Sequence, residues 1–180
     1  MIIGMSVATF TLLHVFISLV GIVAGIAALW EMIVSRRVAF WNTVFLAATI
    51  ATSITGFLFH SQTFGPPHMI GVISLIILAV AIFALKGRNL EGVWRSVYAV
   101  SATIALYLNA FIGVVQAFQK LSVLEELAPT QSEPPFIVAQ TILLIICASV
   151  GFLAFRRFSR SDPGIKSLMA GQISGKLTES

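Results

Sequence analysis

The stretch FTLLHVFISLVGIVAGIAALWEMIV, from Phe10 to Val34, contains a single charged residue, Glu31, close to its end. About 20 apolar residues are enough for a helix to cross a bilayer, so this run is long enough to span one. Four similar stretches follow, at residues 40–59, 67–85, 93–118 and 135–155. None alternates between apolar and polar residues as a barrel strand does, so each is predicted to be a transmembrane helix.

The composition excludes a soluble domain. Hydrophobic residues make up 58% of the chain, charged residues only 10%, and the mean hydropathy is +0.99. Soluble domains carry about a quarter charged residues. This chain has too few charged residues to cover the surface of a soluble fold, and too many apolar residues to bury in its core. We therefore expect an all-α integral membrane bundle of five transmembrane helices over residues 1–160, with a flexible tail at residues 161–180. Before the fifth span, Ser122 and Glu125 match a capping box, which predicts a short surface helix.

The basic residues predict an orientation. All lysines and arginines except Lys120 fall on one side of the five spans, in the loops and the tail or, for Arg95, just inside the fourth span. Positive charge favours the cytoplasmic side, so we expect the N-terminus outside and the C-terminus inside. The expected partner is the lipid bilayer, with a homo-oligomer or a larger membrane complex left open. The basic residues form no stripe interleaved with aromatic residues, so nucleic acid is not expected as a partner.

Polar residues inside the spans carry the functional prediction, because a polar group in a bilayer is costly. Six of them are expected to share one layer near the periplasmic face: His14, His60, His68, Asn109, Gln116 and Gln140. Counted from the cytoplasmic edge at 1.5 Å per residue, their heights run from about 22 to about 33 Å.

The spacing of small and polar residues predicts which helix faces turn inward. In the first span, His14, Ser18, Gly21 and Gly25 follow one another at intervals of four, three and four residues, which is one helical stripe. The second span repeats the pattern in reverse order, from Thr49 to His60. Small residues allow helices to approach closely, so these stripes are expected to face neighbouring helices.

Histidine is a common ligand of metals and of b-type haem. We predict a cofactor site formed by His14, His60 and His68, with His14 and His68 as the preferred pair, supported by Asn109, Gln116 and Gln140. The cofactor candidates are haem b and a divalent metal, for which Glu133 or water would be the fourth ligand. This predicts a redox or accessory protein. The single cysteine, Cys147, excludes an internal disulfide and a thiolate-rich metal site.

Two other functions stay open. Intramembrane histidines also bond to neighbouring helices with no ligand, which fits a structural or assembly subunit of a membrane complex. A small transporter is less favoured, because the cytoplasmic halves of the spans hold few polar residues. No nucleophile–base pair or phosphate-binding loop is present, so no catalytic residue is predicted.

Three stretches carry a resemblance: FGPPHMIGVISLIILAVAIFALKGR from Phe64, WRSVYAVSATIALYLNAFIGVVQAFQK from Trp94, and LAPTQSEPPFIVAQ from Leu127. They resemble a family of small uncharacterised multi-spanning inner-membrane proteins of Gram-negative bacteria. The resemblance implies a multi-pass protein of the bacterial inner (cytoplasmic) membrane. It implies no established activity, and therefore no role for the three histidines.

Overall fold

The computed structural model describes residues 4–34, 38, 40–59 and 66–159. Its elements are six α-helices and one π-helical turn: α1 (Val7–Val34), α2 (Phe40–Phe57), α3 (Pro66–Ile82) continued by the π-helical turn (Phe83–Gly87), α4 (Val93–Lys120), α5 (Ser122–Leu127) and α6 (Pro134–Ser159). The predicted flexible tail at residues 161–180 lies outside the described residues.

Five of these helices are long and apolar enough to cross a membrane, which confirms the predicted all-α fold with five spanning segments. The short helix predicted before the fifth span is α5. The prediction of a capping box at Ser122 and Glu125 was wrong, because Leu121 is the N-cap residue and no side chain caps the helix. Ser122 already lies inside the helix, so its hydroxyl is not at the capping position.

The first four long helices form a ring. α1 contacts α2 and α4, and α3 contacts the same two helices, so α1 and α3 face each other diagonally across the bundle. α6 lies outside this ring against α1 and α4. The end of the bundle where α1 begins and α4 ends is called the histidine end. The opposite end, where the last turns of α6 carry Arg156 and Arg157, is called the arginine end.

The core is tightest towards the arginine end. Tyr98, Phe45, Met32 and Phe158 are buried there, between alanines that let the helices approach. Gly25 brings α1 close to both α2 and α4, because a Cβ at this position would lie 2.8 Å from Leu106 Cδ1 and from Phe45 Cδ2. Close packing at small residues is the usual way in which membrane helices associate.

One stripe of α6 packs against the ring. Its buried residues are Cys147, Gly151, Ala154 and Phe158, which recur at helical spacing. A Cβ at Gly151 would overlap the Thr103 side chain of α4, so the two backbones are in close contact there. The rest of α6 exposes large apolar side chains such as Ile145 and Phe152, as a lipid-facing surface does.

Candidate functional site: a cavity at the histidine end

A cavity of about 320 Å³ lies between α1, α2, α3 and α4 at the histidine end. This volume falls within the range of small-molecule pockets, about 300 to 1,000 Å³. Four of the six residues predicted from the sequence line it: His14, His68, Asn109 and Gln116. Spacing and depth in the sequence therefore singled out four residues that line this one cavity.

His14 is held in one orientation by α2. Its Nδ1 lies 2.8 Å from Thr55 Oγ1, and the Thr55 hydroxyl donates to the Ala51 carbonyl at 2.7 Å. A hydroxyl has one proton to donate, so Thr55 must accept from the His14 Nδ1–H. In the neutral ring, Nε2 then carries the lone pair and is the nitrogen left for a ligand. The Phe59 ring meets the imidazole edge-on, with centroids 5.2 Å apart.

His68 lines the same cavity from α3, the helix diagonal to α1. Its ring lies 5.8 Å from that of Phe57, centroid to centroid. Since Phe57 and Phe59 are neighbours at the end of α2, these ring contacts put His14 and His68 at similar heights in the bundle. The two imidazoles thus belong to opposite walls of one cavity.

The Asn109 side chain is hydrogen-bonded to a neighbouring helix, α1. The Ser18 hydroxyl donates to Asn109 Oδ1 at 2.9 Å, and Asn109 Nδ2 donates to the Ser18 carbonyl at 3.3 Å. Both ends of the amide are therefore used to join α4 to α1. On the other side of the cavity, Ser53 Oγ donates to Ser74 Oγ at 3.3 Å and joins α2 to α3.

Two hydroxyls in the lining differ from those of four other threonines in the long helices. Thr11, Thr55, Thr103 and Thr141 each donate to the carbonyl four residues earlier. Thr49 and Thr52 are among the lining residues, and their hydroxyl oxygens are buried without a hydrogen-bond partner among the described residues. Thr49 is the deeper of the two, with only 1% of its surface exposed. A buried hydroxyl without a partner is costly, so these two groups are suited to meet a ligand or water.

Charge at the cavity comes from Lys120, which lines it at the end of α4 beside Gln116. No Asp or Glu lines it within the described ranges. The remaining wall is apolar and aromatic, with Phe57, Ile70 and Ile112 among its members. The cavity therefore combines an apolar wall with a few polar groups, which is the usual make-up of a small-molecule site.

The remaining predicted residues lie elsewhere. Gln140 does not line the cavity; its Nε2 donates to the Phe111 carbonyl at 3.3 Å and joins α6 to α4. Glu133 is bound in the loop before α6, where its carboxylate accepts from the backbone amide and hydroxyl of Thr130 and from the Ser132 amide. His60 lies outside the described residues. Over residues 4–34, 38, 40–59 and 66–159, no three His, Cys, Asp or Glu side chains are grouped to hold a metal ion.

Sequence analysis missed the hydroxyls of Thr55 and Ser74 and the contribution of Lys120. The stripe of polar residues on the second span contained Thr49 and Ser53, so the lining of α2 was partly visible. The role of Thr55 was not, because its contact with His14 depends on how α1 and α2 pack.

Below the cavity, towards the arginine end, the described helices pack around a cluster of buried apolar side chains. Phe45 and Leu106 meet at Gly25 and are both buried. These side chains separate the polar lining from the rest of the core.

No family model, no curated protein sequence and no solved structure matches this chain.

Proposed function

We propose that this protein is a ligand-binding membrane protein, with its site in the cavity at the histidine end. The observation that carries the proposal is the pair of buried hydroxyls, Thr49 and Thr52, which have no partner among the described residues although they line a cavity of about 320 Å³. A lipid tail could fill such a space but could not satisfy these hydroxyls. The ligand therefore carries hydrogen-bonding groups as well as an apolar body.

Haem b is the cofactor candidate that the two histidines favour. His14 would offer Nε2, because Thr55 holds its Nδ1, and a second-sphere hydrogen bond of this kind commonly orients a metal-bound imidazole. His68 would approach from the diagonal helix, and Lys120 would meet the propionates. Haem would supply electron transfer; the chain's own residues would orient it and exclude water.

A divalent metal has less support than haem. The described residues provide His14 and His68 but no third ligand close by. Such a site would need His60, and Glu133 would have to leave its bonds to Thr130 and Ser132.

We further propose that the histidine end faces the periplasm and the arginine end the cytoplasm of a bacterial inner membrane. The support is the charge distribution, with Arg95, Arg156 and Arg157 at one end. The test uses Cys147→Ala protein with one cysteine added at Thr130 or in the tail. A membrane-impermeant maleimide should label the Thr130 site in intact cells and the tail site only after lysis; the opposite result would reverse the topology.

The ligand proposal is tested on protein purified in a mild detergent, by its absorption spectrum, metal analysis and native mass spectrometry. We expect a bound small molecule that is lost in His14→Ala and retained in Thr141→Val, which removes a hydroxyl on the outer surface of α6. A haem would add a Soret band. Protein without any bound molecule, which also fails to take one up, would contradict the proposal.

A structural or assembly subunit is the second candidate. It is favoured by the close helix contacts at Gly25 and Gly151, which serve packing and no ligand. In that case all three histidines would tolerate substitution. Its partner, a second copy or another membrane protein, would appear as added mass in detergent.

A further inference from the structure

The cavity carries a positive charge at the histidine end that no described carboxylate neutralises. Lys120, the last residue of α4, lines the cavity, and no Asp or Glu among the described residues does so. Lys120 is exposed, and its charge acts electrostatically on the His14 imidazole of the same lining. Within residues 4–34, 38, 40–59 and 66–159, Lys120 makes no ion pair. A cation at the outer end of an apolar space favours a negatively charged ligand.

Gln116 adds a hydrogen-bond donor beside Lys120. It lies four residues before Lys120, so the two side chains share one face of α4, and both line the cavity. The Gln140 amide donates to a backbone carbonyl, whereas the Gln116 amide makes no hydrogen bond to the described residues. An ammonium and an amide N–H on one helix face are together suited to bind a carboxylate, which only accepts hydrogen bonds.

The rest of the lining orients such a ligand. Asn109 and Lys120 both line the cavity and are eleven residues apart on α4, which is about 16 Å along the helix axis. Ile112, between these two positions, and Ile70 of α3 belong to the apolar wall. A carboxylate has no proton to donate to His14 Nε2, so it belongs at Lys120, and the apolar body belongs further in.

From this distribution of charge and apolar surface we infer that the cavity selects a carboxylic acid. The carboxylate binds Lys120 and Gln116 at the histidine end, and the apolar body of the acid extends along the cavity towards Asn109. The inference rests on the proposed function and names the ligand class. Two sources supply this chemistry, namely a propionate of haem and a free acid with an apolar body.

The first test compares three probes that share one apolar body: phenylbutyrate, phenylbutanol and phenylbutylamine. Their binding to the purified full-length protein in nanodiscs of zwitterionic lipid is measured by calorimetry, with empty nanodiscs as the blank. Because a charge-assisted hydrogen bond is stronger than a neutral one, we expect the acid to bind at least tenfold more tightly than the alcohol, and the amine no more tightly than the alcohol. Equal affinities for acid and alcohol, tighter binding of the amine, or no saturable binding of the acid would overturn the inference.

Variants of Lys120 then locate the charge. Lys120→Gln should weaken the acid about tenfold and leave the alcohol unchanged, and Lys120→Glu should bind the amine more tightly than the acid. Lys86→Gln is the matched control, because it removes the same charge from an exposed position in the π-helical turn, outside the cavity lining. Equal weakening of the acid by Lys120→Gln and Lys86→Gln would contradict recognition within the cavity.

The source of the carboxylate is identified in the unaltered protein. A Soret band identifies haem; protein produced without haem is then titrated with haem and with its dimethyl ester, and the ester should bind at least tenfold more weakly. A free acid is identified by mass spectrometry of an organic extract. If the co-purified molecule is neutral and is lost in His14→Ala, the inference fails while the proposed function stands; if nothing binds at all, both fail.

Discussion

Ser18 and Asn109 bond to each other twice, through the Ser18 hydroxyl at 2.9 Å and the Ser18 carbonyl at 3.3 Å. This reciprocal pair joins α1 to α4 beside the cavity and uses both ends of the Asn109 amide. Because Asn109 is 7% exposed, its Oδ1 would be buried without this partner if Ser18 lost its hydroxyl, while Nδ2 would keep its bond to the Ser18 carbonyl.

We expect Ser18→Ala to lower the free energy of unfolding by about 0.6 to 1.7 kcal/mol, the range measured for hydrogen bonds between membrane helices. Asn109→Ala should cost more, since it also creates a space. The measurement is reversible unfolding in mixed micelles, with the double variant closing a thermodynamic cycle. Additive effects in that cycle would show that the two residues are not coupled.

Two glycines offer a matched pair for helix packing. Gly25→Ala should destabilise the bundle by about 1 to 3 kcal/mol, because its Cβ would lie 2.8 Å from buried Leu106 and Phe45 atoms. Gly113→Ala should be neutral or stabilising by up to about 1 kcal/mol, since the nearest side-chain atom, Ile22 Cδ1, is 3.7 Å away and alanine is the better helix former. Melting temperatures in detergent would compare them, and equal shifts would contradict this account.

Arg95 of α4 binds the C-terminal end of α6 through two contacts with Phe158. Its Nε donates to the Phe158 carbonyl at 3.0 Å, and its guanidinium lies 4.1 Å from the centroid of the Phe158 ring. Arg95→Lys should lose the planar contact and increase amide exchange in the last turns of α6 about tenfold. Arg156→Ala is the control, because Arg156 is exposed and contacts only Phe152 of its own helix among the interactions described. A similar increase in both variants would exclude a specific role for Arg95.

Glu133 should make the start of α6 sensitive to acid. Burial alone would raise the pKa of this carboxyl, but hydrogen bonds from Thr130 and Ser132 lower the pKa below its ordinary value. A lowered pKa in the folded state means that the carboxylate stabilises the loop at neutral pH and that this effect is lost as the pH falls through that pKa. The protection of amides around residues 130–137, taken relative to the intrinsic exchange rate at each pH, should therefore fall on acidification. Glu133→Gln should abolish this pH dependence of amide protection. The same pH dependence in the variant and in the unaltered protein would contradict the role given to the Glu133 carboxylate.

Thr55 should fix the tautomer of His14. Nitrogen NMR on histidine-labelled protein is expected to show His14 protonated at Nδ1, and Thr55→Val should mix the two tautomers without unfolding the protein. Thr11→Val serves as the control, since Thr11 lines the cavity but donates to the Val7 carbonyl of its own helix. Protonation at Nε2 in the unaltered protein would overturn the assignment of the acceptor.

The five spans were predictable because hydrocarbon imposes length and apolarity on each helix separately. The common level of His14, His68, Asn109 and Gln116 was also predictable, because rise per residue converts sequence position into depth. Which side chains contact one another could not be predicted from the sequence. Gln140 has a similar predicted depth but turns to the Phe111 carbonyl, since α6 packs outside the ring of the other four helices. Sequence spacing gives height on one helix, whereas contacts depend on how the helices are arranged around one another.

The buried side chains of Phe45 and Leu106, which meet at Gly25, separate the cavity from the arginine end of the bundle. A ligand of the kind proposed, held on the far side of these two side chains, would therefore enter and leave at the histidine end. Binding of a neutral ligand there would not depend on the membrane voltage.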